Sequence, residues 1–104
     1  IDEMLENLQD EKEDSFEIDK KAAERGDAEA QNRLGHRYYY GQDTEQNVQK
    51  AFYWYQKSAE QGCEAGMQHL AEYYEKEKQY KEAAKWYRQY VEARIKWRNE
   101  RLGW

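Results

Sequence analysis

Few side chains in this sequence are of the types that perform nucleophilic catalysis. They are one cysteine, Cys63, one threonine, Thr44, and two serines, Ser15 and Ser58. Such a nucleophile needs a base beside it to become reactive, and no histidine lies near Thr44 in the sequence. Ser58 is predicted to be a small residue at a helix contact, and Cys63 a residue next to a helix end. The sequence therefore predicts that the protein is not an enzyme.

The two histidines, His36 and His69, are the candidate metal ligands, and they lie 33 residues apart. A zinc site needs closely spaced groups of cysteine and histidine, which a single cysteine cannot supply. No glycine-rich loop of the kind that cradles phosphate is present. The sequence thus predicts no metal and no cofactor. The lone cysteine leaves the compartment open between cytoplasmic and, if an export signal was removed, periplasmic or secreted.

The composition predicts helices as the elements that position these residues. Proline is absent, 38% of the residues are charged, and helix-forming residue types dominate. The apolar fraction includes ten tyrosines and four tryptophans, so the core must be built from aromatic rings and alanines. No uncharged stretch is long enough to cross a bilayer, and we therefore expect no membrane insertion.

An internal repeat is the strongest signal in the chain. The segment 23–26 recurs as 59–62 at a shift of 36 residues, and the same shift places Leu34 on Leu70. A second block, 82–87, repeats 50–55 at a shift of 32. The second connecting loop must therefore be four residues shorter than the first, which loops tolerate because they lie outside the packed helices. A period in the thirties is typical of stacked helix pairs.

The apolar spacing and the capping residues predict five helices. Gly26, Gly41 and Gly62 are expected to end helices, and Asp27 to begin one. Apolar residues ahead of the first helix could add a short one: Met4, Leu5 and Leu8. The helices are predicted over 14–25, 28–40, 49–61, 64–76 and from 80 past 98. Their predicted inward residues are Ala30, Leu34, Tyr38, Ala51, Phe52, Tyr55, Ala59, Leu70, Tyr74, Ala84, Tyr87, Val91 and Ile95. The chain is then one helical repeat domain over 1–104, with a partial repeat at 1–26, a first repeat at 27–62, and a second at 63–98 that ends in a long capping helix.

The first full repeat resembles a known family of helical repeats. Its matching residues are Ala28-x-Ala30-Gln31-x-x-Leu34-Gly35-x-x-Tyr38-x-x-Gly41, then Lys50-Ala51-x-x-Trp54, then Ala59-Glu60-x-Gly62. This pattern is similar to the Sel-one-like repeat (SLR), a subclass of the tetratricopeptide-like repeats. The departures are Asp43, Thr44 and Asn47 in the loop, and Glu64, Gly66, Met67 and Ala71 in the second unit. The resemblance implies an all-α solenoid of stacked antiparallel helix pairs with a right-handed superhelix. It also implies an adaptor or scaffold that binds a protein or peptide.

The resemblance further implies that the first helix of each pair lines a concave groove. In the consecutive tyrosines Tyr38, Tyr39 and Tyr40, successive side chains point about 100° apart around the helix. They cannot all be core, so at least one must lie near the surface, where tyrosine is well suited to contact a partner. The predicted groove residues are Asn32, His36, Tyr39, Tyr40, Gln68, Glu72 and Glu75.

The last helix offers a second candidate surface. Trp97 and Trp104 match nothing in the repeat and lie among basic residues, so they indicate either a contact surface or a seal for the end of the stack. The candidate residues are Arg94, Trp97, Arg98 and Trp104. An aromatic and basic helix can also bind nucleic acid, but the chain has a net charge of −5 and the basic cluster is short. We therefore expect no nucleic-acid partner.

Charge is distributed unevenly along the chain. Residues 1–30 carry 12 acids and 4 bases, residues 31–75 carry 6 acids and 4 bases, and residues 76–104 carry 4 acids and 9 bases. Charged faces of this kind can simply be exposed to solvent. The uneven distribution also suggests two alternatives to a general protein-interaction module. One is a small acidic bacterial immunity or regulatory protein that neutralises a basic partner. The other is a structural segment of a longer solenoid, or one that associates with itself head to tail.

Overall fold

The computed structural model describes residues 14–103, which form an all-α stack of five helices. The proposed short helix containing Met4, Leu5 and Leu8 lies outside the described residues, as does Trp104. The helices are α1 (Ser15–Glu24), α2 (Ala28–Tyr40), α3 (Val48–Glu60), α4 (Glu64–Lys76) and α5 (Tyr80–Leu102). Each predicted boundary agrees with these bounds to within one residue, and α5 does run past Arg98. Within residues 14–103, no helix combines the length and the apolar character needed to cross a membrane.

Short polar side chains begin three of the helices. The carboxylates of Asp14 and Asp27 accept hydrogen bonds from the amides of Phe16 (3.2 Å) and Ala30 (3.1 Å). The side chain of Asn47 accepts one from the amide of Lys50 at the start of α3, at 3.0 Å. These contacts satisfy amides that have no partner inside the helix. The prediction that Asp27 caps α2 is confirmed.

The two helix pairs differ in the length of their connecting turns. The sequence predicted this difference, because the repeat shift falls from 36 to 32 residues. Seven residues join α2 to α3, whereas three join α4 to α5. The longer turn begins at Gly41, whose φ of 69° suits glycine because it has no β-carbon. The shorter turn has Lys78 at a φ of 60°, a conformation that is costly for a side chain with a β-carbon.

The core repeats with the sequence. Leu34 and Leu70 are completely buried at equivalent positions of α2 and α4. Around them lie the small and aromatic residues expected from the composition, so the predicted inward faces of α2, α3 and α4 are confirmed. The other core residues include Ala30, Tyr38, Ala51, Tyr55, Ala59 and Met67, with Phe52 and Tyr74 packed against them at partial burial.

Close approach between helices explains one departure from the repeat pattern. A β-carbon on Gly66 of α4 would lie 2.7 Å from the β-carbon of Ser58 and 2.9 Å from the amide nitrogen of Ala59. One repeat earlier, the residues that correspond to Ser58 and Gly66 are Ala22 and Ala30. The larger serine in α3 is thus matched by a smaller residue in α4. Ser58 is fully buried, and its hydroxyl donates to the carbonyl oxygen of Ala28 at 2.7 Å.

The predicted inward face of α5 is wrong. Val91 and Ile95 are half exposed, whereas Ala83 is buried and Trp86 and Tyr90 pack against the core. The covered residues of α5, which include Ala93, recur at spacings of three and four and form a stripe beside the predicted one. Ala84, Val91 and Ile95 lie on a face that no other described helix covers, whereas Tyr87 is partly buried and donates a hydrogen bond to Glu75 of α4.

Candidate functional site

Helices α2 and α4 lie side by side on one side of the stack. Each helix packs on its neighbours in sequence, and α2 also contacts α4, whereas within residues 14–103 α3 contacts neither α1 nor α5. We call the surface of α2 and α4 the inner face; it is defined by Asn32, His36, Tyr39, Tyr40, Gln68, His69, Glu72 and Lys76.

The three consecutive tyrosines lie at three depths, which confirms the prediction that they cannot all belong to the core. Tyr38 is buried, and its ring meets Phe16 edge to face at 5.6 Å between ring centroids. Tyr39 is partly buried, and Tyr40 has 58% of its surface exposed. The inner face therefore receives its tyrosines because 100° steps around α2 turn two of the three rings away from the core.

The middle of the inner face is bridged by a side-chain hydrogen bond. Nδ1 of His69 lies 2.7 Å from Oδ1 of Asn32. Because the amide oxygen can only accept, the imidazole N–H is the donor. His69 also stacks on Tyr55, with the ring centroids 5.0 Å apart. Burial lowers the pKa of His69 below its ordinary value, and the nearby His36 lowers it further while Glu72 opposes the shift.

The two histidines lie closer together than the repeat alignment implies. Their ring centroids are 5.9 Å apart, although the 36-residue shift places His69 on Arg33. The bond between Asn32 and His69 shows why: in the fold His69 faces the side of α2 that carries Asn32 and His36, which the alignment with Arg33 does not indicate. Within residues 14–103, no three His, Cys, Asp or Glu side chains are placed to hold a metal ion together.

The C-terminal end of the inner face is filled by its own side chains. Nζ of Lys76 donates to the Tyr39 hydroxyl at 2.6 Å and sits over the Tyr39 ring, and this hydrogen bond raises the pKa of Lys76. The rings of Tyr39 and Tyr40 meet at 4.8 Å. The space left is about 20 Å³, lined by Tyr39, Tyr40, Tyr55, His69, Glu72, Tyr73 and Lys76.

The N-terminal end of the inner face opens into a much larger cavity of about 790 Å³. It lies between the start of α2, the α3–α4 turn and two residues from the second half of α5, Arg94 and Trp97. Its lining residues are Ala28, Glu29, Asn32, Arg33, Gln61, Gly62, Cys63, Glu64, Ala65, Arg94 and Trp97. The cavity therefore joins one predicted groove residue, Asn32, to two from the predicted C-terminal surface, Arg94 and Trp97.

Helix length explains how Trp97 reaches this cavity. Trp97 follows Ala93 and Tyr90 at the spacing of the covered stripe on α5. However, α4 has 13 residues and α5 has 23, so α5 continues past the start of α4. The guanidinium of Arg94 lies 3.8 Å from the carboxylate of Glu64, the first residue of α4. Beyond that level none of the other four described helices packs on Trp97, which remains 55% exposed and borders the cavity.

The charges around the cavity are balanced. Two carboxylates, Glu29 and Glu64, are matched by two guanidinium groups, Arg33 and Arg94. Arg33 also pairs with the buried Asp19 at 3.0 Å. The wall carries amides as well, and Gln61 is held in place by donating to the side-chain oxygen of Gln31 at 2.7 Å.

The remaining predicted site residues are distributed as follows. Gln68 donates to Glu72 at 3.3 Å on the inner face, whereas Glu75 accepts from the Tyr87 hydroxyl at 3.0 Å and so points toward α5. Arg98 lines an adjoining cleft together with Val91 and Ile95, and this cleft shares Arg94 and Trp97 with the cavity. Their binding roles stay predictions. Sequence reasoning missed Lys76, although it is the residue that the 36-residue shift pairs with Tyr40.

Comparison with known proteins gives one family. A family model described as the Sel1 repeat matches residues 28–63 and 65–89. A sel1-like repeat-containing protein of Acanthamoeba polyphaga mimivirus is 48% identical over 48 residues, which cover 46% of this chain. Those residues span only 8% of that relative's length. No solved structure matches the chain significantly.

Proposed function

The chain belongs to the Sel1 repeat family, whose repeats are non-enzymatic protein–protein interaction modules, and from this premise we propose that it is an adaptor or scaffold. It holds a segment of a protein partner in the cavity between Asn32 and Trp97. The observation that carries the proposal is the 790 Å³ opening at the N-terminal end of the inner face.

The lining of this cavity suits a peptide segment. The half-exposed indole of Trp97 offers a large apolar surface, and tryptophan is among the residues that contribute most to protein interfaces. Asn32 and Gln61 add amide groups that can pair with a peptide backbone. The opposite end of the inner face has room for about 20 Å³ only. Tyr39 and Tyr40 are therefore proposed to support the site rather than to be its main contact.

Charge gives the cavity no preference for a strongly basic partner. Its two acids are offset by two arginines, so the alternative of an acidic regulatory protein gains no support from this surface. A partner held mainly by the indole and the amides is expected to bind with little dependence on salt, because screening acts on charges.

Partner capture with matched variants tests the proposal. We expect the protein to retain a partner from its native host, and Asn32→Ala/Trp97→Ala to lose it while helicity is preserved. Tyr53→Ala is the control, because Tyr53 is equally exposed but lies on α3. Tyr39→Ala/Tyr40→Ala should weaken capture less. Capture that survives the Asn32 and Trp97 changes unaltered would show that the partner binds elsewhere.

The single thiol provides a second test that uses the unmodified chain. Cys63 lines the cavity and is the only cysteine of the sequence, so a bulky maleimide attached to it should block the captured partner. The control is Cys63→Ser/Gln49→Cys, which moves the label to an exposed position on α3. Equal binding by both labelled proteins would contradict the placement of the site.

A further inference from the structure

The outer face of α5 carries an apolar stripe that nothing in residues 14–103 covers. Val91, Ile95 and Leu102 are 50%, 53% and 54% exposed, and Ala84 lies on the same side. They recur at intervals that keep them on one side of the helix. We call Ala84, Val91, Ile95 and Leu102 the outer stripe; Tyr87 lies at its edge and bonds to Glu75 of α4.

Internal equivalence indicates what shape this stripe accepts. At the 32-residue shift, Ala84, Tyr87 and Val91 correspond to Phe52, Tyr55 and Ala59 of α3. On α3 that face is covered by α4: Phe52 meets Tyr73 at 4.8 Å, and Tyr55 stacks on His69. The outer stripe is therefore the counterpart of a surface that, one repeat earlier, is buried under a helix.

The surroundings of the stripe are basic. Helix α5 contains seven Lys or Arg residues and three Glu residues. Arg94 and Arg98 border a cleft of about 290 Å³ that also includes Val91 and Ile95. An apolar floor with guanidinium groups at its rim favours an acidic amphipathic segment. Pairing of two α5 helices would instead bring two basic surfaces together, which is unfavourable.

The other end of the same chain has the complementary character. Residues 1–30 carry 12 acids and 4 bases, a net charge of −8, and include the apolar residues Met4, Leu5 and Leu8. Ile18 of α1 is half exposed. Because α1 and α5 are at opposite ends of the described stack, the chain that leads into α1 of one copy can approach α5 of the next without a change of fold.

We propose that the outer stripe of α5 docks the acidic residues 1–30 of a second copy of this chain, head to tail. Such a contact joins two different surfaces. Every assembly therefore still has one free outer stripe and one free acidic segment, and it can grow past the dimer. Opposite charges guide the association and apolar burial stabilises it.

Sedimentation of the full chain over a wide concentration range tests this proposal. The average mass should rise with concentration without stopping at a dimer, and added salt should suppress the rise. Val91→Glu/Ile95→Glu should abolish it. Val48→Glu/Tyr53→Glu, which adds the same charges at exposed positions of α3, should leave it intact. A chain that stays monomeric throughout overturns the proposal, and so does association that survives both salt and the change of the stripe.

A mixing experiment identifies the two surfaces. One variant is Val91→Glu/Ile95→Glu, which retains the acidic end. The other is Glu6→Lys/Glu13→Lys/Glu17→Lys, which retains the stripe and changes the charge of residues 1–30 from −8 to −2. Each variant alone should be monomeric, and the mixture should form a one-to-one dimer that grows no further. If the second variant dimerises alone, the stripes pair with each other and the head-to-tail contact is refuted.

Discussion

Asp19 shows how a single charged residue can be part of the core. Its carboxylate is buried in α1, and its two oxygens accept hydrogen bonds from Nε of Arg33 at 3.0 Å and Nε of Arg37 at 2.9 Å, both in α2. A buried charge is tolerated only when it is paired in this way. In the sequence Asp19 is one of twelve acids in the first thirty residues, and nothing local distinguishes it from the solvated ones.

Asp19→Asn should therefore reduce the free energy of unfolding by about 1.5–3 kcal/mol, the range for a hydrogen bond to a charged group. Asp43→Asn is the matched control, because Asp43 pairs with the same Arg37 at 3.1 Å but is well exposed. That change should cost about 1 kcal/mol or less. Urea unfolding followed by circular dichroism measures both. Equal losses would show that the buried pair contributes no more than the exposed one.

His69 predicts a dependence of stability on pH. Burial holds its pKa below the ordinary 6.5, so the folded chain binds a proton at this site less readily than the unfolded chain. The free energy of unfolding should therefore be unaffected by this group above about pH 6.5, fall as pH drops below that value, and level off below the folded pKa. The charged and titratable groups around it are His36, Tyr55 and Glu72.

His69→Gln should remove this contribution, so the variant should lose less stability than the wild type between about pH 7.5 and about pH 5. His36→Gln is the control, since it removes the neighbouring imidazole and leaves the bond between Asn32 and His69 in place. Urea unfolding at each pH measures the difference. If the wild type and His69→Gln lose the same amount, burial of His69 is not coupled to proton binding.

At the scale of the helices, much of the fold follows from local chemistry in the sequence. Residue types alone predicted that Asp27 begins a helix and that Gly41 ends one. The difference between the 36-residue and 32-residue shifts predicted the shorter second turn. The register of α5 did not follow, because α5 has two apolar faces and the pattern does not say which one meets a neighbour. The 32-residue shift aligns Val91 with Ala59 and so predicts that Val91 is buried. Ala59 is buried because α4 packs on α3, and no described helix packs in the same way on α5.

The cavity was harder to predict than the helices. It requires α5 to extend past Glu64 and α2 to pack beside α4, and both depend on packing between distant segments. Sequence patterns named Asn32, Arg94 and Trp97 for two separate surfaces, and only the fold brings them to one opening. The filled end, where Lys76 bonds to Tyr39, likewise depends on the packing of α2 beside α4.

The short turn between α4 and α5 carries a prediction at this scale. Lys78 has a φ of 60°, and a left-handed conformation costs a residue with a β-carbon about 1–2 kcal/mol. Lys78→Gly removes this cost but increases the entropy of the unfolded chain, so we expect a net gain of up to about 1 kcal/mol. Gly41→Ala, at a φ of 69°, should lose about 1 kcal/mol. Thermal unfolding compares them, and a loss in both variants would contradict the interpretation.

At the scale of the molecule, contacts between helices are almost all between neighbours in sequence. The exception is the contact of α2 with α4, which makes the middle of the stack the most connected part. Stability in such a stack is approximately the sum of the helices and their shared interfaces. Among the described helices, α1 and α5 have one interface each, and none of the others packs on the part of α5 beyond Glu64.

Hydrogen exchange of the monomeric chain should therefore reveal a gradient, because local opening needs less free energy where fewer contacts are lost. Protection should be highest around Leu34 and Leu70 and lowest in the last two turns of α5. Leu34→Ala, which empties a fully buried site, should cost about 2–5 kcal/mol and lower protection in α1 to α4 together. Trp97→Ala should change exchange only near the end of α5. Uniform protection that both substitutions lower equally would mean that the five helices open as one unit, with no interface weaker than another.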